Sequence, residues 1–143
     1  MRVAITGMGA ISCIGLDADA TWASMIAGRS GIGPITGVAG PSLSQPIAGQ
    51  VHGFDATAHF DAKRMALLDR VSAFAVVAAR EALRQSGLDP RRDGLAARMA
   101  VVIGTGVGGE ESHDQQLRRL YGGDGRMHPL AIPRSMVSAP AAT

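Results

Sequence analysis

The sequence predicts an α/β fold built from close-packed layers, and three observations lead there. Hydrophobic residues make up 46% of the chain but aromatics only 3%, and glycine occurs 19 times. The apolar content is therefore carried by Ala, Val, Ile, Leu and Met. Such side chains allow the close backbone approach of layered α/β proteins with buried parallel strands. Two short apolar runs, in "RVAIT" and "RMAVVI", each enter a glycine turn. Finally, residues 61–86 place Leu68, Val71, Phe74, Ala75, Ala78, Ala79, Ala82 and Leu83 three and four apart, the stripe of an amphipathic helix.

In chain order, Arg2–Thr6 reads as a short buried strand bounded by Gly7 and Gly9. Asp17 or Asp19 can cap a helix running to about Gly28, with Trp22, Met25 and Ile26 on one face. Residues 28–53 are rich in glycine and proline and read as a long irregular region. A loop of that length is usually functional or packs on something outside it. The long helix follows, with Asp69 able to restart it after a shorter turn, Gly87 as its C-cap and Pro90 as a stop. "RMAVVIGTGVGG" is a second strand, apolar on both faces, entering a second glycine turn. Glu110 to Tyr121 form a short polar helix, and "APAAT" reads as a helix just starting, with Pro140 in its first turn. The order is strand, helix, loop, helix, strand, glycine turn: one incomplete α/β unit. Two strands make no stable parallel sheet alone, so more chain, or a second chain, is expected.

Bulk properties exclude several classes. The 143 residues correspond to about one domain. Met1 and Arg2 lead straight into Val3 with no apolar leader, and no run reaches the roughly 18 residues of a membrane span. A formal charge of +2 and few aromatics do not favour nucleic acid. One cysteine cannot staple the chain, so a reducing, cytoplasmic setting is expected.

The tempting motifs are weak on residues alone. "TGMGAIS" resembles a dinucleotide loop with Ser12 in place of the third glycine, and "GTGVGG" repeats its first two glycines. No second strand ending in an acidic residue follows, and tight turns need glycine for their backbone angles in any case. Cys13 would be a nucleophile only beside a histidine, and His52, His59, His113 and His128 all lie in polar or loop contexts. A lone cysteine here reads as a small buried hydrophobe. No Cys/His spacing points to a metal, and no cofactor is called for. Glu110 and Glu111 suit a solvated helix start.

Taken as an ordered set, "RVAITGMGAISCIG", "TWASMIAGRSGI", "LDRVSAFAVVAAREALRQSGL", "VVIGTGVGG" and "PRSMVSAPAAT" resemble the N-terminal part of a β-ketoacyl-[acyl carrier protein] synthase. The likeness covers essentially the whole chain. It implies a thiolase-like layered α-β-α-β-α fold, of which residues 1–143 are an incomplete N-terminal half, and a homodimer. The implied reaction is a decarboxylative Claisen condensation of an acyl thioester with malonyl-[acyl carrier protein], in fatty-acid or polyketide synthesis. The family's nucleophilic cysteine and both histidines are expected beyond Thr143. This chain then holds no catalytic residue, is inactive alone, and Cys13 is not the nucleophile.

The resemblance further implies two functional regions within the chain. Val107, in "GTGVGG", takes the position of the acyl chain-length gate, and Ile132, in "PLAIP", matches a residue that reaches across the dimer to the partner's acyl pocket; both also read as plain core packing. Lys63, Arg64 and Arg126 are the basic residues placed to meet acyl carrier protein, in a patch thinned by Ala66 and Leu67; a solvated charged face explains them equally. The alternatives are a non-catalytic partner resembling chain-length factors and a dinucleotide-binding domain.

Overall fold

The computed structural model describes residues 2–37, 44–92, 94–123, 125–136 and 139. They form two compact units, one of Met1–Phe54 with Ala78–Ser86 and one of Asp55–Val77 with Gly87–Thr143.

In the first unit, helix α1 spans Ala18–Ile26. Asp17 is its N-cap, Oδ1 accepting from Ala20 N at 2.6 Å, which satisfies one of the orphan donors of the first turn. Trp22, Met25 and Ile26 are all exposed. The region read as irregular holds a hairpin: β1 (Ile32–Pro34) pairs antiparallel with β2 (Ile47–Gly49), Gly33 opposite Ala48. The strands have three residues each and carry glycine and proline, so no period-two pattern announced them. Gln50 extends the pairing, accepting from Thr36 N at 2.7 Å and donating to Thr36 O at 3.0 Å.

The glycine turn of this unit rests on the second half of helix α3, which spans Arg70–Ser86 and contributes Ala78–Ser86 here. A Cβ added at Gly7 would lie 2.0 Å from Ala82 O, and one at Gly9 2.0 Å from Ala78 O. Only glycine permits that approach. The turn's backbone donors are taken up as well. Met8 N donates to Gln85 Oε1, Ala10 N to Glu81 Oε2 at 2.9 Å, and Ala18 N, the first N–H of α1, to Glu81 Oε1 at 2.9 Å. One carboxylate of α3 thus sits where a nucleotide phosphate would have to bind. The dinucleotide reading fails on that geometry.

In the second unit, Asp55 caps a 3₁₀ turn at Ala56–Ala58. Helix α2 (Ala62–Met65) is capped by Asp61. The helical stretch expected over residues 61–86 is therefore in two pieces, and the main helix restarts after Asp69, at the position the sequence allowed for a restart. Gly87 follows it at φ +69°, a left-handed C-cap position. Ser72 and Ala73 are buried on α3, whereas most of the predicted stripe is half-buried and Ala79 is exposed. Leu95–Arg98 form a second 3₁₀ turn, α4 spans Glu110–Gly122, and α5 spans Ala131–Ser135 and packs on α4. Of the expected helix at "APAAT", only Ala139 is among the described residues.

The two long apolar strands differ from expectation. Residues 2–6 and 99–103 join no ladder. Val3 and Ile5 are each 85% exposed, Val101 66% and Val102 89%. A central parallel strand is buried only by neighbours on both sides and layers on both faces. Among the described residues neither segment has them.

Candidate functional site

Glycines 106, 108 and 109 deliver Val107 to a cleft in the second unit. Gly108 has φ +90°, a conformation that side chains resist. Its N–H donates to Thr105 Oγ1 at 3.2 Å, and Gly109 N donates to Ser135 O at 3.0 Å. A Cβ on Gly109 would lie 2.8 Å from Arg134 O and 3.0 Å from Asp69 Cγ, so the turn is stitched at once to α5 and to the start of α3.

Asp69 holds this junction. It is 3% exposed, Oδ1 accepts from Val71 N at 3.0 Å, and Oδ2 accepts from Ser112 N at 2.8 Å. One carboxylate therefore caps the N-termini of α3 and α4 together, where an anion is favoured. Arg134 Nη2 donates to Leu68 O at 3.2 Å and ties α5 to the same corner. Asp55 is held below its ordinary range chiefly by the Thr57 hydroxyl, at 2.7 Å, and also by Thr57 N–H.

The cleft has a volume of about 290 Å³ and is lined by Val107, Glu110, His113, Gln116, Met127, Ala131, Ile132 and Ser135. Val107 and Ile132, distant in sequence, share it. Both are exposed, at 65% and 64%, so neither is core in this structure. Glu110, His113 and Gln116 stand three residues apart on one face of α4. Glu110 Oε1 lies 3.8 Å from His113 Nδ1. Gln116 is 4% exposed, and its Oε1 accepts from His128 N at 2.7 Å.

The basic residues fall elsewhere on this unit. Lys63 and Arg64 are adjacent and exposed on α2, rather than at the start of the long helix, and Arg126 is exposed between α4 and α5. Cys13 sits in a tight turn closed by Ser12 N donating to Gly15 O at 2.8 Å. Its thiol is half-buried rather than buried, and Cβ atoms added at Gly31 and Gly49 would meet Sγ at 2.5 and 3.0 Å. Among the described residues, no group of three or more His, Cys, Asp or Glu is placed to hold a metal ion, and no helix is long and apolar enough to cross a membrane. Sequence reasoning passed over Gln116 and Glu81, which stand in ordinary helical patterns. Asp69 was legible only as a helix start.

The family model described as "Beta-ketoacyl synthase, N-terminal domain" matches residues 1–143. The chain belongs to the β-ketoacyl synthase family. It is 39% identical over 133 residues to 3-oxoacyl-[acyl-carrier-protein] synthase 2 of Staphylococcus aureus (strain N315), covering 92% of this chain and 32% of that protein. The Synechocystis protein of the same name is 38% identical with the same coverage. The chain thus spans about a third of the length of these relatives. A β-ketoacyl synthase from Burkholderia phymatum STM815 superposes with a TM-score of 0.77 at 26% identity, over 99% of this chain and 35% of that one. The ishigamide ketosynthase/chain length factor gives 0.74 at 26% identity, over 95% and 34%. These neighbours fit the thiolase-like fold, with this chain as an N-terminal part of it.

Proposed function

We propose that this chain is the N-terminal portion of a condensing enzyme that joins an acyl thioester to malonyl-[acyl carrier protein]. Its part in that reaction is to shape the acyl pocket and to present carrier-protein contacts. Malonyl loses carbon dioxide, its α-carbon attacks the acyl thioester carbonyl, and the acyl C–S bond breaks to release the thiolate that carried the acyl group, leaving a 3-oxoacyl chain on the carrier. The names of the curated relatives support the product class. The observation that carries the local role is that Val107 and Ile132 line one cleft. Val107 stands between glycines, so a single side chain sets that wall and a short valine leaves space beyond it. Lys63, Arg64 and Arg126 are exposed cations suited to an acidic carrier. Ile132 borders the same cleft, and the resemblance reads that edge as the side that faces a second copy in a homodimer.

The test is Val107→Phe in the complete synthase, with kcat/KM measured for saturated acyl primers of increasing length. Overpacking a fitted apolar site costs about 1–3 kcal/mol, roughly a 5- to 150-fold loss. The loss is expected to grow with acyl length, because a short primer stops before the gate. An equal loss at every length removes Val107 from the pocket.

A further inference from the structure

We infer that Gln116 is a specificity-determining residue that donates a hydrogen bond to an oxygen on the acyl chain, so that the favoured primer is an oxygen-bearing acyl thioester rather than a plain hydrocarbon one. The inference rests on the acyl-pocket reading of the cleft and names the substrate class it takes.

Gln116 is 4% exposed and lines the cleft with Val107 and Ile132. His128 N is a backbone donor and can approach only the carbonyl oxygen of the amide; it does so at 2.7 Å. That bond fixes which end of the side chain is oxygen and which is nitrogen. The Nε2 end carries two N–H donors, and neither has an acceptor among the described residues. Nε2 is also not among the fully sealed side-chain atoms that lack partners, which are Ser72 Oγ and Arg134 Nε. Gln116 lines the cleft, and the inference places this free end of the amide there.

A donor placed this way discriminates between ligands. A methylene chain drawn past it displaces water and leaves the N–H groups unpaired, whereas an oxo or hydroxyl oxygen satisfies one of them. His113 and Glu110, one and two turns earlier on the same face, extend the polar strip along that wall. Opposite chemistry comes from Val107, Met127, Ala131 and Ile132, which suit the hydrocarbon portion between the oxygens. A wall of this mixed kind fits a partly oxygenated chain.

The experiment compares acyl-carrier-protein thioesters of equal length in the complete synthase: a saturated chain, and the same chain bearing one oxo group at successive carbons. Wild type is expected to prefer one oxo position by about tenfold or more in kcat/KM. In Gln116→Met, which keeps the length and removes the donor, that ratio is expected to fall toward one. Equal kcat/KM for saturated and oxo chains in wild type overturns the inference, with no variant needed. An unchanged ratio in a folded Gln116→Met also overturns it. The Val107→Phe series separates the two readings. If it discriminates by length while oxygenation has no effect, only the inference about Gln116 fails. If it does not discriminate by length, the pocket itself is lost.

Discussion

Replacing Glu81 with glutamine tests why the first glycine turn has its shape. The carboxylate accepts two backbone hydrogen bonds through separate oxygens, from Ala10 N and Ala18 N, each at 2.9 Å. Glutamine keeps the size but has one accepting end. Its NH₂ faces whichever N–H it cannot accept from, so one half-buried donor is orphaned. Leaving a buried donor unpaired costs about 1–3 kcal/mol. Losing the negative charge at the start of α1 adds a smaller term of about 0.3–1 kcal/mol. The sum, about 1–4 kcal/mol, is local to the turn, so the assay is amide hydrogen exchange at Ala10 and Ala18 in the complete synthase. Every 1.4 kcal/mol is tenfold in an opening equilibrium, so protection at one of the two amides is expected to fall by roughly 5-fold to several hundredfold. Amides on β1 and β2 serve as the internal control. Unchanged protection at both Ala10 and Ala18 refutes the reasoning and reopens the turn as an unoccupied donor cradle.

Asp69→Asn removes the charge from a carboxylate that caps two helices, and asparagine can accept at only one of them. A loss of about 1–3 kcal/mol is expected, read as a fall in melting temperature with a weakened length preference for acyl primers; a melt within error of wild type contradicts it. Cys13→Ala is expected to condense nearly normally, since its thiol lies against Gly31 and Gly49 and serves packing. Loss of acyl-enzyme formation in that variant, with the melt preserved, defeats this. Residues 1–143 expressed alone are expected to aggregate or lack a cooperative melt and to be inactive, because Val3, Ile5, Val101 and Val102 are exposed on unpaired backbone. A monomer with a sharp cooperative transition contradicts that.

The helices were largely legible because their signals are local. Asp17 caps α1, Gly87 ends α3, and Glu110 opens α4, each by chemistry within a turn of itself. The hairpin β1–β2 was not legible, since its register comes from pairing across residues that carry no alternation. The segments at residues 2–6 and 99–103, expected as strands, are apolar but join no ladder here, because apolar sequence specifies burial only when neighbours supply it. In the site, Val107 and Ile132 were reachable through the family resemblance. Asp69 was visible as a cap to its own helix but not to α4, because the Ser112 contact is long-range. Gln116 carried no signal at all: its meaning comes from His128 N fixing the amide, which only the fold provides. The glycines of "TGMGAIS" show the converse error. Their pattern mimics a phosphate loop, while their cause is contact with the α3 backbone at Ala78 and Ala82.

The most direct test of the account is the condensation itself. The complete synthase is incubated with an acyl thioester and malonyl-[acyl carrier protein] labelled in its free carboxylate, and released carbon dioxide is counted while the carrier protein is weighed by mass spectrometry. The account predicts one carbon dioxide released for each 3-oxoacyl chain formed on the carrier. Carbon dioxide release without elongation, or neither product from a folded protein with a range of primers, contradicts it.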